Sequence, residues 1–346
     1  MPTHDTSAAE PFEEKRLALQ AGPPRSRMFV SNEFGLILLI VFFVIVFSLT
    51  TKGFTSPFNL FTMGRNASIN IMIGLSMMTV IVTGGLSLAV GAIGVCAAML
   101  CGYTIEVMQL PLPLALVSGL ALGAALGLIN GFAIVRTGLH SFIITLATMS
   151  IFFGLMVFLT RAEAFRNLPP EFSSLGKMKL FNYVSPLLIV TVIIALVLTW
   201  LYRLTVLGRE MLAAGARPEA AELSGIHVGR VTVLCHMLSG MLAAVAAMML
   251  VARNGAAIPS MAGQLGQDWL LPAFLGPVLG GAVLNGGKAP VFGTCLGALL
   301  VTLLTSGLLL LQIGEFWVQT FLGLLLLVAV FMDKARRSYL AYRNLA

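Results

Sequence analysis

The sequence predicts an all-α membrane protein of about ten transmembrane helices with both termini in the cytoplasm. Three observations predict this fold: 58% of the 346 residues are hydrophobic, only 10% are charged, and the charges leave nine uninterrupted stretches of at least 17 residues. A hydrocarbon layer about 30 Å thick needs roughly 20 uncharged residues per helical crossing. Because a soluble fold of this length could not bury so much apolar surface, the composition excludes a soluble enzyme.

The charge-free stretches give the expected spans in chain order. Eight stretches fit one crossing each, and 66–105 is long enough for two. Gly84-Gly85 lies near the middle of that stretch, where each glycine lowers helix propensity by about 1 kcal/mol. Barrel strands would be shorter and would alternate in polarity. The stretches are 34–51, 66–105, 107–135, 137–160, 180–202, 231–252, 269–287, 289–314 and 316–332.

Polar segments flank the apolar region at both ends. Residues 1–33 lack the apolar core of a secretory signal and are expected to form a disordered cytoplasmic tail. Residues 334–346 form a basic cytoplasmic tail, which leaves 34–333 as the membrane domain. The formal charge of +7 suits contact with anionic membrane lipid and gives no reason to invoke nucleic acid. The bases that place both ends inside are Arg25, Arg27, Lys334, Arg336, Arg337 and Arg343.

Glycines recur every four residues in the fourth span. This spacing gives one face of the helix a smooth surface that a second helix backbone can approach closely. The ninth span repeats the pattern once. Simple helix packing explains the glycines. A contact that lets two helices slide past each other, in a protein that moves between two states, explains them equally. The glycines are Gly119, Gly123, Gly127 and Gly131 in the fourth span and Gly293 and Gly297 in the ninth.

The polar groups inside the spans are hydroxyls and amides, whereas acids and bases lie at or beyond span ends. Ion-coupled carriers usually place charged side chains within the bilayer, so this pattern weakens a proton-driven mechanism. It suits a neutral, hydroxylated solute. An interhelical bond remains the alternative for Asn130, as packing does for Phe142. The candidate pathway residues are Asn70, Thr79, Asn130, Phe142, Thr145 and Thr148.

No catalytic, cofactor or metal site is predicted. The four cysteines lie in apolar segments without acid or histidine partners at ligand spacing. A glycine-rich turn at 285–289 departs from a phosphate-binding loop, because Ala282 replaces the first glycine and Ala289 replaces the hydroxyl residue. The chain is therefore not expected to hydrolyse nucleotide. The cysteines are Cys96, Cys101, Cys235 and Cys295.

The internal connection 203–230 is expected to hold a short helix under the membrane. Pro218 suits a first helical position, Glu219 favours the positive end of the helix dipole, and Gly225 can end the helix. Its apolar stripe suits insertion into a groove on a partner, and a plain connecting loop is the alternative. The residues expected to couple to a partner are Arg209, Pro218, Glu219, Ala220, Ala221, Leu223 and Gly225.

The same residues resemble the coupling loop of the ribose-type permeases, which are branched-chain/monosaccharide permease subunits of bacterial ABC sugar importers. The resemblance runs from about residue 34 to residue 333. Two departures are Ser87, where the family usually has aspartate, and Arg217, where it favours asparagine and a side-chain cap is lost. The segments that resemble the family are Asn59-Leu60, Gly84–Gly91, Asn130-Gly131, Ser141–Met149, Gly208–Ile226 and Gly293–Ala298.

The resemblance implies a multi-pass permease of the bacterial inner membrane that imports a monosaccharide or related solute. Two permeases, identical or paralogous, would form the pathway, and ATPase subunits holding ATP and magnesium would dock on 209–226. An extracytoplasmic binding protein would deliver solute to 161–183 and 253–268. This chain would hold no cofactor. The alternatives are an ion-coupled secondary carrier for a neutral solute and a membrane anchor without a transport role.

Overall fold

A computed structural model of the chain describes residues 32–179 and 184–345, and within these ranges every regular element is a helix. The expected tail at 1–33 lies almost entirely outside the described residues. The helices are α1 (Asn32–Thr50), α2 (Pro57–Ile81), α3 (Val90–Glu106), α4 (Leu112–Thr137), α5 (Ser141–Thr160), α6 (Pro170–Lys177), α7 (Pro186–Leu204), α8 (Val206–Ala216), α9 (Pro218–Leu223), α10 (Val228–Asn254), a 3₁₀ helix (Gln264–Trp269), α11 (Leu270–Leu279), α12 (Val291–Leu310) and α13 (Glu315–Leu345).

Local sequence explains where these helices begin and end. Ser56 precedes α2, its side chain accepts a hydrogen bond from the Asn59 backbone, and Pro57 occupies the first turn. Ser185 and Pro186 begin α7 in the same way. Gly138 ends α4 in the left-handed conformation at φ 69°, which glycine adopts without strain. The expected tail at 334–346 begins within α13, whose backbone stays helical to Leu345.

Six helices of the described chain are long and apolar enough to cross a membrane, namely α1, α4, α5, α7, α10 and α12. Helix α3, with 17 residues, and the part of α13 at 316–331 are apolar but shorter. Helix α2 has 25 residues but carries Arg65 and several amides, so it is less apolar. The prediction of an all-helical membrane protein is confirmed, whereas these criteria reach six spans rather than ten.

The stretch 269–287, which was expected to cross as one helix, does not form a continuous helix. Its helix, α11, has only 10 residues, and the preceding 3₁₀ helix contains non-helical backbone at Leu265 and Gly266. Pro277 cannot donate a backbone hydrogen bond, and Gly281 takes a positive φ of 88° just beyond the helix. We call residues 255–279 the broken segment, because extended backbone and a short helix together replace one continuous helix.

Helix α2 lies at the centre of the bundle. From Ala67 to Val82 every side chain except the half-buried Asn70 is buried. Helices α3 and α10 share this core, whereas α1, α5, α7 and α13 expose large apolar side chains on their outer faces. Leu49, for example, is 82% exposed and Phe158 is 78% exposed. Such extensive apolar exposure is what contact with lipid requires.

The glycine face of α4 packs against α3 and α10. Gly119 lies against the Ala97 carbonyl of α3, and Gly123 and Gly127 lie against the Gly240 and His236 carbonyls of α10. Gly131 lies beside Val233 and His236 of α10. On α12, Gly297 contacts Gly276 of the broken segment, and Gly293 contacts Gly280 directly after it. At each of these glycines a side-chain carbon would overlap a neighbouring backbone.

The bundle has two ends, which we name by their short helices. At the α8–α9 end, Gly215 contacts Val82 and Gly287. At the α6 end, Gly176 contacts Ala252. The chain runs through the core between these ends, so that α2 begins at the α6 end and finishes at the α8–α9 end.

Replacing Gly127 by valine should destabilise the bundle, because the side chain would overlap the His236 carbonyl across the α4–α10 contact. We expect the free energy of unfolding to fall by about 1–3 kcal/mol, as at other overpacked sites. Thermal unfolding of the purified protein in detergent measures the loss. The matched control is Gly154→Val on α5, where a side-chain carbon meets nothing within 4 Å. Equal stability of the two variants would contradict the observed packing.

Candidate transport site and coupling segment

The segment expected to couple to a partner forms two short helices, α8 and α9. The Thr205 hydroxyl caps α8 by accepting a hydrogen bond from the Gly208 backbone at 3.0 Å. Helix α9 begins at Pro218, and Gly225 follows it with a φ of 84°. A helix between Pro218 and Gly225 is the element that the sequence predicts, and the structure confirms it. Arg217 occupies the cap position without a side-chain hydrogen bond.

One part of this segment is buried against the bundle and the other is exposed. On α8 the buried residues are Gly208, Met211, Ala214 and Gly215, which recur at helical spacing and form one face. On α9 only Ala221 is buried, and Leu223 is 92% exposed. The segment therefore anchors itself through α8 and presents α9 outward. The remaining predicted coupling residues are exposed, namely Arg209, Pro218, Glu219, Ala220 and Gly225.

Helix α8 ends against two turns of the bundle. The first turn follows α2 and includes Val82 and Gly84; the second turn includes Asn285 and Gly287. The Gly287 backbone donates to the Val82 carbonyl at 2.8 Å, which joins the turns directly. Gly215 of α8 packs where a side-chain carbon would overlap both of them. We call this contact of residues 82–86, 285–287 and 215 the glycine junction.

Helix α5 supplies hydrogen-bond acceptors to the same break in the chain. The Ser141 hydroxyl accepts from the Leu86 backbone at 2.8 Å, and the Thr145 hydroxyl accepts from the Leu88 backbone at 3.1 Å. These bonds matter because a break between two membrane helices leaves backbone groups that lipid cannot satisfy. Thr145, expected on the solute pathway, is fully buried and holds the turn between α2 and α3.

The other predicted pathway residues lie apart from one another. Asn70 lines a polar cavity of about 470 Å³ at the α6 end. Thr79 is fully buried between α2 and α10, 3.5 Å from the Cys235 carbonyl. Thr148 bonds the Thr145 carbonyl on its own helix, and Phe142 is 44% exposed on α5.

Asn130 is buried where α4 meets α10. Asn130 is 1% exposed, and neither the nitrogen nor the oxygen of its side-chain amide has a hydrogen-bond partner among the described residues. His236 on α10 is 2% exposed, with Nδ1 3.0 Å from the Thr232 carbonyl and Nε2 unpaired within the described chain. Asn130 therefore neither lines the polar cavity nor makes the interhelical bond that its sequence position allows.

Of the polar cavity's residues on α2, sequence reasoning singled out Asn70 but missed Asn59, Thr62 and Asn66. Asn59, Thr62, Asn66 and Asn70 recur at spacings of three and four along α2, which places them on one helix face. That stripe crosses the charge at Arg65, where the charge-free span was expected to begin. The helical spacing of the amides was the signal that could have found them.

The two segments expected to meet an outer partner are joined to each other. Phe165 and Ala257 exchange two backbone hydrogen bonds of 2.9 Å. The Glu106 carboxylate accepts from the Arg166 and Asn167 backbones at 2.7 and 3.1 Å, which fixes the first segment on the end of α3. The expected surfaces 161–183 and 253–268 thus form one connected patch at the α6 end, apart from residues 180–183, which lie outside the described chain.

Comparison with known proteins identifies similar chains. A family model described as the permease component of branched-chain amino acid transport systems matches residues 59–330. The ribose import permease protein of Bacillus subtilis is 34% identical and aligns over 89% of this chain and 94% of its own. The D-allose transport system permease of Escherichia coli K12 is 30% identical, over 88% and 92%. A probable ABC transporter permease of the same strain is 35% identical, over 88% and 91%. No solved structure matches.

Replacing Gly215 by valine should separate α8 from the glycine junction, because the side chain would overlap the Val82 carbonyl. We expect faster hydrogen exchange at the Gly287 amide and through 206–216, since the bond that protects Gly287 depends on the same contact. Exchange measured by mass spectrometry on the detergent-solubilised protein provides the test. The control is Gly64→Val on α2, where a side-chain carbon meets nothing within 4 Å. Unchanged exchange in Gly215→Val would contradict the junction.

Proposed function

The chain belongs to the family of permease components of branched-chain amino acid-type transport systems and is a multi-pass protein of the bacterial inner membrane, and from this we propose that it is the permease subunit of an ATP-driven ABC importer. Its solute would be a monosaccharide or a related small hydroxylated molecule. The observation that carries the proposal is the exposed helix α9, connected through buried α8 to the turns that end the central helix α2.

The proposed topology has ten crossings with both termini in the cytoplasm. The broken segment and the turn that follows it carry the chain from Asn254 at the α6 end to Gly287 at the α8–α9 end, so they count as one crossing. With α2 and α3 counted separately, the total is even. Basic residues beyond the first and last spans support a cytoplasmic location for the α8–α9 end.

The energy for transport would come from a separate ATPase. Arg65 and Arg253 lie toward the α6 end, and the other acids and bases of the described residues lie at the ends of the apolar spans or outside them. No acidic side chain is therefore left at mid-membrane to bind a coupling cation. ATP and magnesium would be held by the partner, and the chain itself would carry no cofactor. The partner would contact the exposed face of α9, where Leu223 offers an apolar anchor beside Glu219.

Motion of the ATPase would reach the bundle mechanically. A displacement of α9 would be transmitted to α8, which contacts both turns of the glycine junction. Those turns connect α2 with α3 and the broken segment with α12. Rigid-body movement of these helices would switch the permease between outward-open and inward-open states. The glycine contacts of α4 with α10 and of α12 with α11 permit close helix packing during such a movement.

Two further partners complete the proposed importer. A second permease, identical or paralogous, would form the pathway together with this chain. An extracytoplasmic binding protein would dock at the α6 end, where the Phe165–Ala257 pairing joins the two candidate surfaces. The relatives that are named for ribose and D-allose support a monosaccharide as the solute class.

Substituting aspartate for Leu223 should uncouple transport. The side chain is 92% exposed and supports no packing within the chain, so the change should remove only the apolar anchor for the ATPase. We expect a loss of at least about 10-fold in ATPase affinity, as for other anchor residues of interfaces. Binding of the purified ATPase to the permease in nanodiscs measures the affinity, alongside solute uptake in cells.

The control for this variant is Leu139→Asp, which places the same change on an apolar side chain that is 50% exposed in the connection between α4 and α5, outside the spans. Both variants should reach the membrane in wild-type amounts, but only Leu223→Asp should lose ATPase binding. Normal binding and uptake by Leu223→Asp would remove α9 as the coupling element.

A further inference from the structure

A polar cavity of about 470 Å³ lies at the α6 end between α2, α10, α12 and the broken segment. Its volume falls within the range of roughly 300–1,000 Å³ that small-molecule sites occupy. Amide and hydroxyl side chains from two helices belong to its lining. They are Asn59, Asn66 and Asn70 on α2 and Thr302, Thr305 and Ser306 on α12.

Hydrogen bonds between the two helices hold this lining in place. The Asn70 side-chain amide donates to the Thr302 hydroxyl at 2.9 Å, and the Ser306 hydroxyl donates to the Asn59 side-chain oxygen Oδ1 at 3.2 Å. The Asn70 side-chain oxygen accepts no hydrogen bond within the described chain. The Thr62 hydroxyl, also in the lining, is buried and has no partner among the described residues. Acceptor and donor capacity is therefore left for a ligand.

The charge of the cavity restricts what it can accept. Arg253 donates to the Asn66 side-chain oxygen at 2.8 Å, and the described lining contains no carboxylate. A cationic solute would meet a guanidinium and find no counter-charge. A hydroxyl or carboxylate oxygen could instead accept a charge-assisted hydrogen bond from Arg253.

The backbone around the cavity departs from helical geometry. Met261 and Trp269 of the broken segment belong to the lining, and between them Gly263, Leu265 and Gly266 take positive φ values. Irregular backbone at membrane depth is tolerated where it is buried in protein or borders a water-filled cavity. The broken segment and the polar cavity thus occur together, as is typical of the solute sites of membrane transporters.

We propose that this cavity is a solute-binding station within a single permease chain, which takes a polyhydroxylated solute that carries no positive charge. The inference rests on the proposed import function and assigns it a site. The amides and hydroxyls would exchange hydrogen bonds with the solute's hydroxyls, Arg253 would bind one of its oxygens, and Ile73, Leu250 and Trp269 would contact its C–H surface.

A pair of matched threonine variants tests the station. The Thr305 and Thr320 hydroxyls both bond a carbonyl of their own helix four residues back, but Thr305 lines the cavity and Thr320 is exposed on α13. Thr305→Val should lower the solute uptake rate several-fold at subsaturating concentration, whereas Thr320→Val should leave it unchanged. Asn70→Leu should lower it at least about 10-fold, because it leaves polar partners unpaired.

Uptake is measured in cells that carry the full permease with its ATPase and binding protein. ATP hydrolysis is measured on the same assembly after purification into nanodiscs. The probes are radiolabelled ribose and allose as neutral sugars, gluconate as a sugar acid and glucosamine as a cationic sugar. The station is supported if the wild-type assembly takes up a neutral or acidic probe and both Asn70→Leu and Thr305→Val reduce that uptake. In both variants, ATP hydrolysis stimulated by the binding protein should persist. Persisting hydrolysis also shows that the variants fold and remain coupled.

Two results would overturn the inference alone. One is wild-type uptake in both cavity variants, and the other is uptake of glucosamine in preference to the other probes. Absence of uptake and of stimulated ATP hydrolysis in the wild-type assembly would instead refute the proposed function, and the station with it.

Discussion

The bilayer interior imposes the constraint on which the rest of the structure depends, because backbone polar groups and charges inside it must be satisfied by the protein itself. Continuous helices meet this condition for most of the chain. Where the helices break, other residues supply the hydrogen bonds: Ser141 and Thr145 accept from the turn after α2, and the Gly287 amide bonds the Val82 carbonyl. The breaks are therefore built features, and the candidate sites lie at them.

Helix α2 connects the two sites. Its N-terminal half contributes Asn59, Asn66 and Asn70 to the polar cavity, and the turn after it contributes Val82 to the glycine junction. Twelve residues separate Asn70 from Val82, about 18 Å along a helix. Because nearly every side chain between them is buried, this stretch can move as a rigid body with its neighbours. A displacement of α8 can therefore change the shape of the cavity without any chemistry in this chain.

The sequence predicts the helices well and their contacts poorly. Gaps between charges locate the apolar helices, because each charged side chain in lipid has its own free-energy cost, whatever its neighbours in the fold. The same gaps mislead at 269–287, where Pro277 and neighbouring glycines break the helix without introducing charge. Thr145 is a hydroxyl inside a span, but its role as an acceptor for the Leu88 backbone depends on a turn far away in sequence. Asn59 was missed because Arg65 separates it from the charge-free stretch that begins at Asn66, although both asparagines lie on α2.

The source of energy is the central claim, and transport by purified components tests it most directly. The chain would be reconstituted in proteoliposomes with its ATPase and binding protein, with ATP available to the ATPase and the proton and sodium gradients collapsed by ionophores. We predict that labelled solute accumulates at an undiminished rate under these conditions and that accumulation stops when ATP is omitted. Accumulation driven by an imposed proton or sodium gradient, with the ATPase absent, would contradict the account.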